Sequence, residues 1–319
     1  MSKIVLFFVL LALCLAGCGL PITSVDQPTL PDTAVSSQTP ARQTFPTVTS
    51  SPLPPPTASL TPTRSPTLTP TPTASPSPTA TPLTCWNQGG RFEHGSLRSD
   101  LLKLPMEYSV YLPPCYDQQP DRRYPVLYMI HGMNYNHDQW DRLGADEAAD
   151  ALVAGGEVSP FIIVMPRDRS WDAPEADPFG QVLVDALIPF IDETYRTLPQ
   201  REYRAVGGLS RGAGWAIHLG LSRWDLFGAF GGHSPPVFWS DTRWVRSWLA
   251  AIPPESMPRI YLDIGEKDRE TIMLSALWFE NLLNEEGIPH EWYLFPGYHD
   301  EAYWSAHVMD YLRWYADEW

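Results

Sequence analysis

The sequence predicts an α/β domain with a mostly parallel central sheet and helices on both faces. Short β-rich runs alternate with helical stretches between residues 106 and 317; such alternation produces crossovers that leave parallel strands inside and helices outside. The runs at 124–130 and 161–165 are apolar almost throughout, as strands covered on both faces must be. A third run, 203–209, breaks into a helical pattern at Ser210, inside the stretch GGLSRGAGWA.

Residues 106–112, MEYSVYL, alternate with period two and read as an early strand, stopped by Pro113-Pro114. The strand at 124–130 ends in His131-Gly132. A helix is expected over 145–154, closed by Gly155-Gly156. After the strand at 161–165, residues 179–196 read as one longer amphipathic helix, with Val182, Ala186, Ile188, Phe190 and Ile191 available to the core. Residues 203–209 form the strand that leads into Ser210. Further strands are expected at 227–231 and 259–264, then a helix at 270–286, a strand at 291–295 and a last helix at 301–317. There is no internal repeat.

Along the whole chain three segments separate. Residues 1–18 are a targeting segment: Lys3 supplies a positive start, and residues 4–15 form an apolar run too short for a membrane span. The run ends in Leu15-Ala16-Gly17-Cys18, which resembles the lipobox of bacterial lipoproteins and implies cleavage before Cys18 and lipidation of its thiol. Residues 19–83 hold 16 prolines and 16 threonines with almost no charge, a composition expected of an extended stalk with much polyproline II. Residues 84–319 are expected to form one domain with a single sizeable core.

That domain carries 35 of the 37 acidic side chains and 19 of the 22 basic ones. Such a surface repels phosphate backbones and anionic lipid, so no nucleic-acid partner is expected. Membrane attachment would rest on the lipid at Cys18. The chain has 13 tryptophans, which suit both a core and an aromatic cleft for sugars or aromatic acyl groups. Cys85 and Cys115 remain in the domain; an exported pair allows a single intrachain disulfide. No Cys–His set has zinc-ligand spacing, and neither a metal nor a cofactor is expected.

A serine hydroxyl is a weak nucleophile and needs a base within hydrogen-bond reach and a site that holds an oxyanion. Gly208-x-Ser210-x-Gly212 on a strand-to-helix turn exposes the oxygen at the sheet's carboxyl edge, with glycines that let strand and helix approach. The alternative is that the glycines serve packing alone. An acid and a histidine should follow in that order. Asp268, in the loop after the 259–264 strand, is preferred as the acid over Asp263, Asp225 and Glu266. His299 alone among the later histidines lies just past a strand's carboxyl end, ahead of His218, His233, His290 and His307. The amides of Arg211 and Met133 are the expected oxyanion donors, with His131 bracing its loop.

In order and spacing, VYLPPCY (110–116), YPVLYMIHG (124–132), GLSRG, LDIGEKD and PGYHD resemble the putative-esterase family of α/β-hydrolases. That family includes esterase D, S-formylglutathione hydrolases, feruloyl esterases, enterochelin esterases and mycolyltransferases. The resemblance covers residues 95–318. It implies an α/β-hydrolase fold and a serine esterase with triad Ser210, Asp268 and His299, acting on a small-molecule or carbohydrate ester. It also implies that Trp140 lines the mouth of the site. Cys115 stands where a glycine is commoner in a PPGY-like motif. Feruloyl or acetyl groups on polysaccharide are candidate substrates. Acyl transfer to an alcohol, as in mycolyltransferases, stays open, as does a tethered binding module without activity. A peptidase is weaker, because the chain has no separate capping domain of obvious size.

Overall fold

The computed structural model describes residues 84–319. The targeting segment with Cys18 and the 19–83 stalk lie outside the described residues. Among those described, no helix is long and apolar enough to cross a membrane.

Eight strands form one sheet: β1 (Arg91–Leu97), β2 (Met106–Leu112), β3 (Val126–Ile130), β4 (Ile162–Pro166), β5 (Arg204–Leu209), β6 (Ala229–His233), β7 (Arg259–Lys267) and β8 (Glu291–Tyr298). Their spatial order is β1-β2-β4-β3-β5-β6-β7-β8. β2 pairs antiparallel with β1 and β4, and every other pair is parallel. The helices are α1 (Gln139–Arg142), α2 (Ala145–Ala154), α3 (Phe179–Val182), α4 (Ile188–Thr194), α5 (Arg211–Ser222), α6 (Val245–Ala251), α7 (Glu270–Glu285) and α8 (Glu301–Ala316).

The sheet separates two cores. Val126, Tyr128 and Ile130 of β3 face one with Trp215 of α5 and Phe279 of α7, while Leu127 and Met129 face the other with Trp140 of α1, Leu152 of α2 and Tyr311 of α8. Alternation along β3 therefore serves two apolar faces, which is why its sequence reads as one continuous run.

Four elements depart from the sequence reading, among them the single turn α1, too short for any period to show. β1 is a half-exposed edge strand whose residues RFEHGSL carry no strong apolar period. The short α6 has too few turns for periodicity to show. The single helix expected at 179–196 is α3 and α4 joined by a π-turn, Leu183–Leu187. Pro189 has no amide hydrogen to continue the ladder, and the widened turn relieves that break.

A disulfide joins Cys85 to Cys115, with Cα atoms 5.1 Å apart, and ties the domain's entry to the turn after β2. Cys115 sits at φ 62°, a left-handed conformation that favours glycine. This accounts for the glycine commonly found there in the family the sequence resembles.

Candidate active site

The loops that follow β3, β4, β5, β6, β7 and β8 all leave the same carboxyl edge of the sheet, where open α/β sheets hold their ligands. Ser210 forms the turn between β5 and α5 at φ 52°, ψ −122°, a strained geometry for a residue with a Cβ. Close packing holds it there. A Cβ on Gly208 would lie 2.3 Å from the backbone of Gly212, and one on Gly212 would lie 2.1 Å from the Ile130 carbonyl oxygen. The Ser210 amide donates to the His233 carbonyl at 2.8 Å.

His299 follows β8, and Asp268 follows β7. One extra residue enters β8 where the β7/β8 register shifts between Gly265 and Lys267, a bulge that re-aims both strand ends. His299 Nδ1 lies 2.8 Å from Asp268 Oδ1, and its Nε2 lies 2.9 Å from Ser210 Oγ. An ionised carboxylate only accepts, so the ring hydrogen sits on Nδ1 and Nε2 is left to accept the serine hydroxyl. The Arg269 amide also donates to Asp268 Oδ1, at 2.6 Å. The indole of Trp304 stands edge-on to the His299 ring at 5.0 Å and donates to Ser234 Oγ at 3.2 Å.

The rival residues have other partners. His233 and Asp263 are fully buried and 2.6 Å apart. Asp263 also accepts the hydroxyls of Tyr303 at 2.5 Å and Tyr311 at 2.7 Å, while Tyr315 meets His233 Nε2 at 3.1 Å. Burial first, and then the Asp263 carboxylate, push the Tyr303 and Tyr311 hydroxyls well above the usual tyrosine range. His218 pairs with Asp241 at 2.9 Å, and His307 stacks on Phe295 at 4.4 Å.

The loop after β3 is braced at Gly132. Its amide donates to Gln139 Oε1 at 2.8 Å, and its carbonyl accepts from His131 Nδ1 at 2.7 Å. His131 Nε2 accepts the Asp168 amide at 2.9 Å, so both partners call for a neutral ring, and burial lowers its pKa. Gln139 Nε2 donates onward to Glu301 at the start of α8, joining this loop to the His299 loop. Met133 lines the cleft beside Ser210. Neither the Met133 nor the Arg211 amide donates to another backbone carbonyl among the described residues.

Trp140 is not at the mouth. It is fully buried, with its indole donating to the Ile130 carbonyl at 3.1 Å and its ring in a T-shaped contact with His233 at 5.9 Å. Its place in α1 turns the ring under β3, a direction that a position after the His-Gly pair does not reveal. Sequence reasoning also missed the side-chain cluster around Arg211, whose guanidinium is buried against Asp168 at 2.7 Å and Asp177 at 2.8 Å. The cleft itself measures about 560 Å³ and is lined by Asn134, Tyr135, Arg269 and Trp304 besides the residues above. Among the described residues, no group of three or more His, Cys, Asp or Glu side chains is placed to hold a metal.

The family model described as "Putative esterase" matches residues 99–315. The chain belongs to that family. Among curated relatives of this chain, an endo-1,4-beta-xylanase/feruloyl esterase of Xylanibacter ruminicola is 30% identical over 202 residues, covering 57% of this chain and 27% of the relative. Esterase Rv1288 of Mycobacterium tuberculosis is 31% identical over 139 residues, covering 40% of this chain and 29% of the relative. The chain thus spans less than a third of the length of either. Among solved structures, a ferulic acid esterase superposes with TM-score 0.64 at 24% identity, covering 72% of this chain and 98% of that one. An S-formylglutathione hydrolase from Staphylococcus aureus superposes with TM-score 0.58 at 18% identity, covering 72% and 98%. The fold is that of the α/β-hydrolase esterases.

Proposed function

We propose that this family member is a serine carboxylic-ester hydrolase that works through an acyl-enzyme on Ser210. The observation that carries the reading is the His299 ring held between Asp268 and Ser210, at 2.8 and 2.9 Å. Ser210 Oγ attacks the ester carbonyl carbon while its proton passes to His299 Nε2. The negative charge on the carbonyl oxygen falls to the amides of Met133 and Arg211. As the tetrahedral adduct collapses, the C–O bond to the alcohol breaks and His299 returns the proton to the departing oxygen. Water, deprotonated by the same nitrogen, then releases the acid. Asp268 keeps the ring in the tautomer and orientation that both steps need, and balances the imidazolium that forms in each.

The substrate class is an acyl ester of plant polysaccharide, carrying feruloyl or acetyl groups. Support comes from a relative whose name joins xylanase and feruloyl esterase, and from the likeness to a CE1 ferulic acid esterase of Anaeromyces mucronatus solved with ferulic acid, at TM-score 0.57 and 22% identity. Export agrees with the Cys85–Cys115 disulfide; lipidation at Cys18 and the 19–83 stalk would hold the domain outside the cell and away from its membrane. A panel of feruloyl, acetyl and longer acyl esters, assayed with the full chain beside Ser210→Ala, tests the reading. Hydrolysis of feruloyl or acetyl esters that vanishes in the variant is expected. Equal rates in both proteins would refute it.

A further inference from the structure

The cleft at Ser210 does not end at Tyr135. Met133, Asn134 and Tyr135 also line a second cavity of about 380 Å³, and that cavity shares Leu104, Arg169 and Trp171 with a third of about 530 Å³. Together they form one open groove running from the serine to the segment before β2. Exposed apolar side chains mark its course: Met133 and Tyr135 at the cleft, then Trp171, 70% exposed, and Leu104, 58% exposed. Trp239, at 89%, is more exposed still but lines none of these cavities. What sets Trp171 apart is that it belongs to a run of exposed apolar side chains along one groove, the kind of patch that marks a ligand site.

Trp171 is also held in place. The Ser170 amide donates to Asp168 Oδ1 at 2.9 Å, and the Asp172 amide to Ser170 Oγ at 3.0 Å. The Asp172 carbonyl accepts from the buried guanidinium of Arg211 at 2.8 Å. The backbone on both sides of the exposed ring is thereby fastened to the residue that follows Ser210, which presents a preorganised flat surface.

We propose that this groove binds the glycan that carries the ester, with Trp171 as the stacking platform for a sugar ring. The inference rests on the reading of Ser210 as the ester-attacking serine and adds the side of the substrate that the groove holds. The cleft at Ser210, within the size range of pockets for whole small ligands, is large enough for a cinnamoyl-sized acyl group. The two cavities beyond it therefore serve the large partner in the ester, the alcohol. A sugar ring has an apolar face and a polar rim, and the groove answers both: Trp171 and Leu104 offer flat apolar surface, while Lys103, Arg167, Arg169 and Asp172 offer hydrogen-bonding groups. Arg167 and Arg169 also pair with Glu107, but a long alkyl chain would desolvate the Lys103 and Asp172 side chains with nothing to pair them.

The test compares methyl ferulate, a feruloylated arabinoxylan oligosaccharide and p-nitrophenyl decanoate as substrates for the full chain, Trp171→Ala and Trp171→Phe. Stacking of this kind is worth about 1.4 kcal/mol, so Trp171→Ala is expected to lose about tenfold in kcat/KM on the oligosaccharide, through KM. Trp171→Phe should recover most of that loss, with methyl ferulate unchanged throughout. Equal losses on methyl ferulate would give the ring to the acyl group, and a loss confined to the decanoate would give the groove to an alkyl chain; either overturns the proposal, as does no loss at all. A separate arm measures binding of Ser210→Ala to unesterified arabinoxylan, with and without Trp171→Ala. About tenfold weaker binding in the double variant supports the groove even if no ester is cleaved, and equal binding overturns it.

Discussion

The guanidinium of Arg211 and the carboxylate of Asp168 meet at 2.7 Å with both side chains almost wholly buried. Asp177 and the carbonyl of Asp172 complete the set, and the Trp215 indole donates to Asp168 at 2.9 Å. One arginine thus locks the loop after β4 onto the first turn of α5, directly behind the serine. Burial, with Asp168 as a second cause, already pushes the Asp177 carboxyl above its ordinary range. Arg211→Met would strand two buried carboxylates, at a cost of about 3–5 kcal/mol. Thermal unfolding is expected to show that loss. Adding Asp168→Asn and Asp177→Asn should restore part of it; no restoration would mean the cluster's charges are not the cause.

Asp268 and Asp263 both pair with a histidine, but they should fail differently. In Asp268→Asn the amide no longer fixes the His299 tautomer, and kcat on a feruloyl or acetyl ester should fall by about 10⁴. The melting temperature should move by only about 2 °C, since the bonds affected, to His299 and the Arg269 amide, lie in loops past the strand ends. Steady-state kinetics beside a melting curve reads both.

Asp263 accepts from His233, Tyr303 and Tyr311 in a fully buried knot. Asparagine has one acceptor oxygen and cannot serve three donors, so Asp263→Asn should cost about 3–5 kcal/mol and lower the melting temperature by roughly 10 °C. The activity of the folded fraction at low temperature should stay within about threefold of the parent. A variant that melts normally but is inactive would move the catalytic acid to this residue.

The Cys85–Cys115 bridge closes a loop across 30 positions. Its removal in Cys85→Ser/Cys115→Ser should destabilise the domain by about 3–4 kcal/mol, read by chemical denaturation. Reduction of the parent protein should give the same shift, and no further shift in the double variant.

Asp146, in the first turn of α2, has its carboxyl pushed up to about 7, first by burial and then by a hydrogen bond with Glu147. Its Oδ1 is buried without a hydrogen-bond partner. Because the folded value lies above the unfolded one, the folded state holds the proton more tightly. Stability from this group is fully present below about pH 4 and is lost as pH rises to about 7. Asp146→Asn should therefore raise the melting temperature by roughly 2–4 °C at pH 8, after allowance for solvent screening. The gain should shrink toward pH 4. A pH series of melting curves on both proteins checks the sign.

Most of the sheet is legible from local pattern. The strands at β3 and β4 are apolar runs of strand length, and the turn at Ser210 is marked by glycines that the packing cannot replace. Ser210, Asp268 and His299 are readable as candidates because each stands just past a strand, and strand ends are visible in sequence. β1 is not readable, because a half-exposed edge strand carries no apolar period. The π-turn in the 179–196 helix leaves only a proline as its trace.

Chain order and strand ends alone determined which serine, acid and histidine could be neighbours at one sheet edge, since parallel crossovers bring every such loop to the same side. Tertiary structure alone decided where long side chains point. The Trp140 ring turned inward beneath β3, Arg211 drew two carboxylates out of water, and Asp263 collected three donors from α8 and β6. Those choices depend on partners more than 20 residues away in most cases, and no local period encodes the direction of a side chain toward a distant partner.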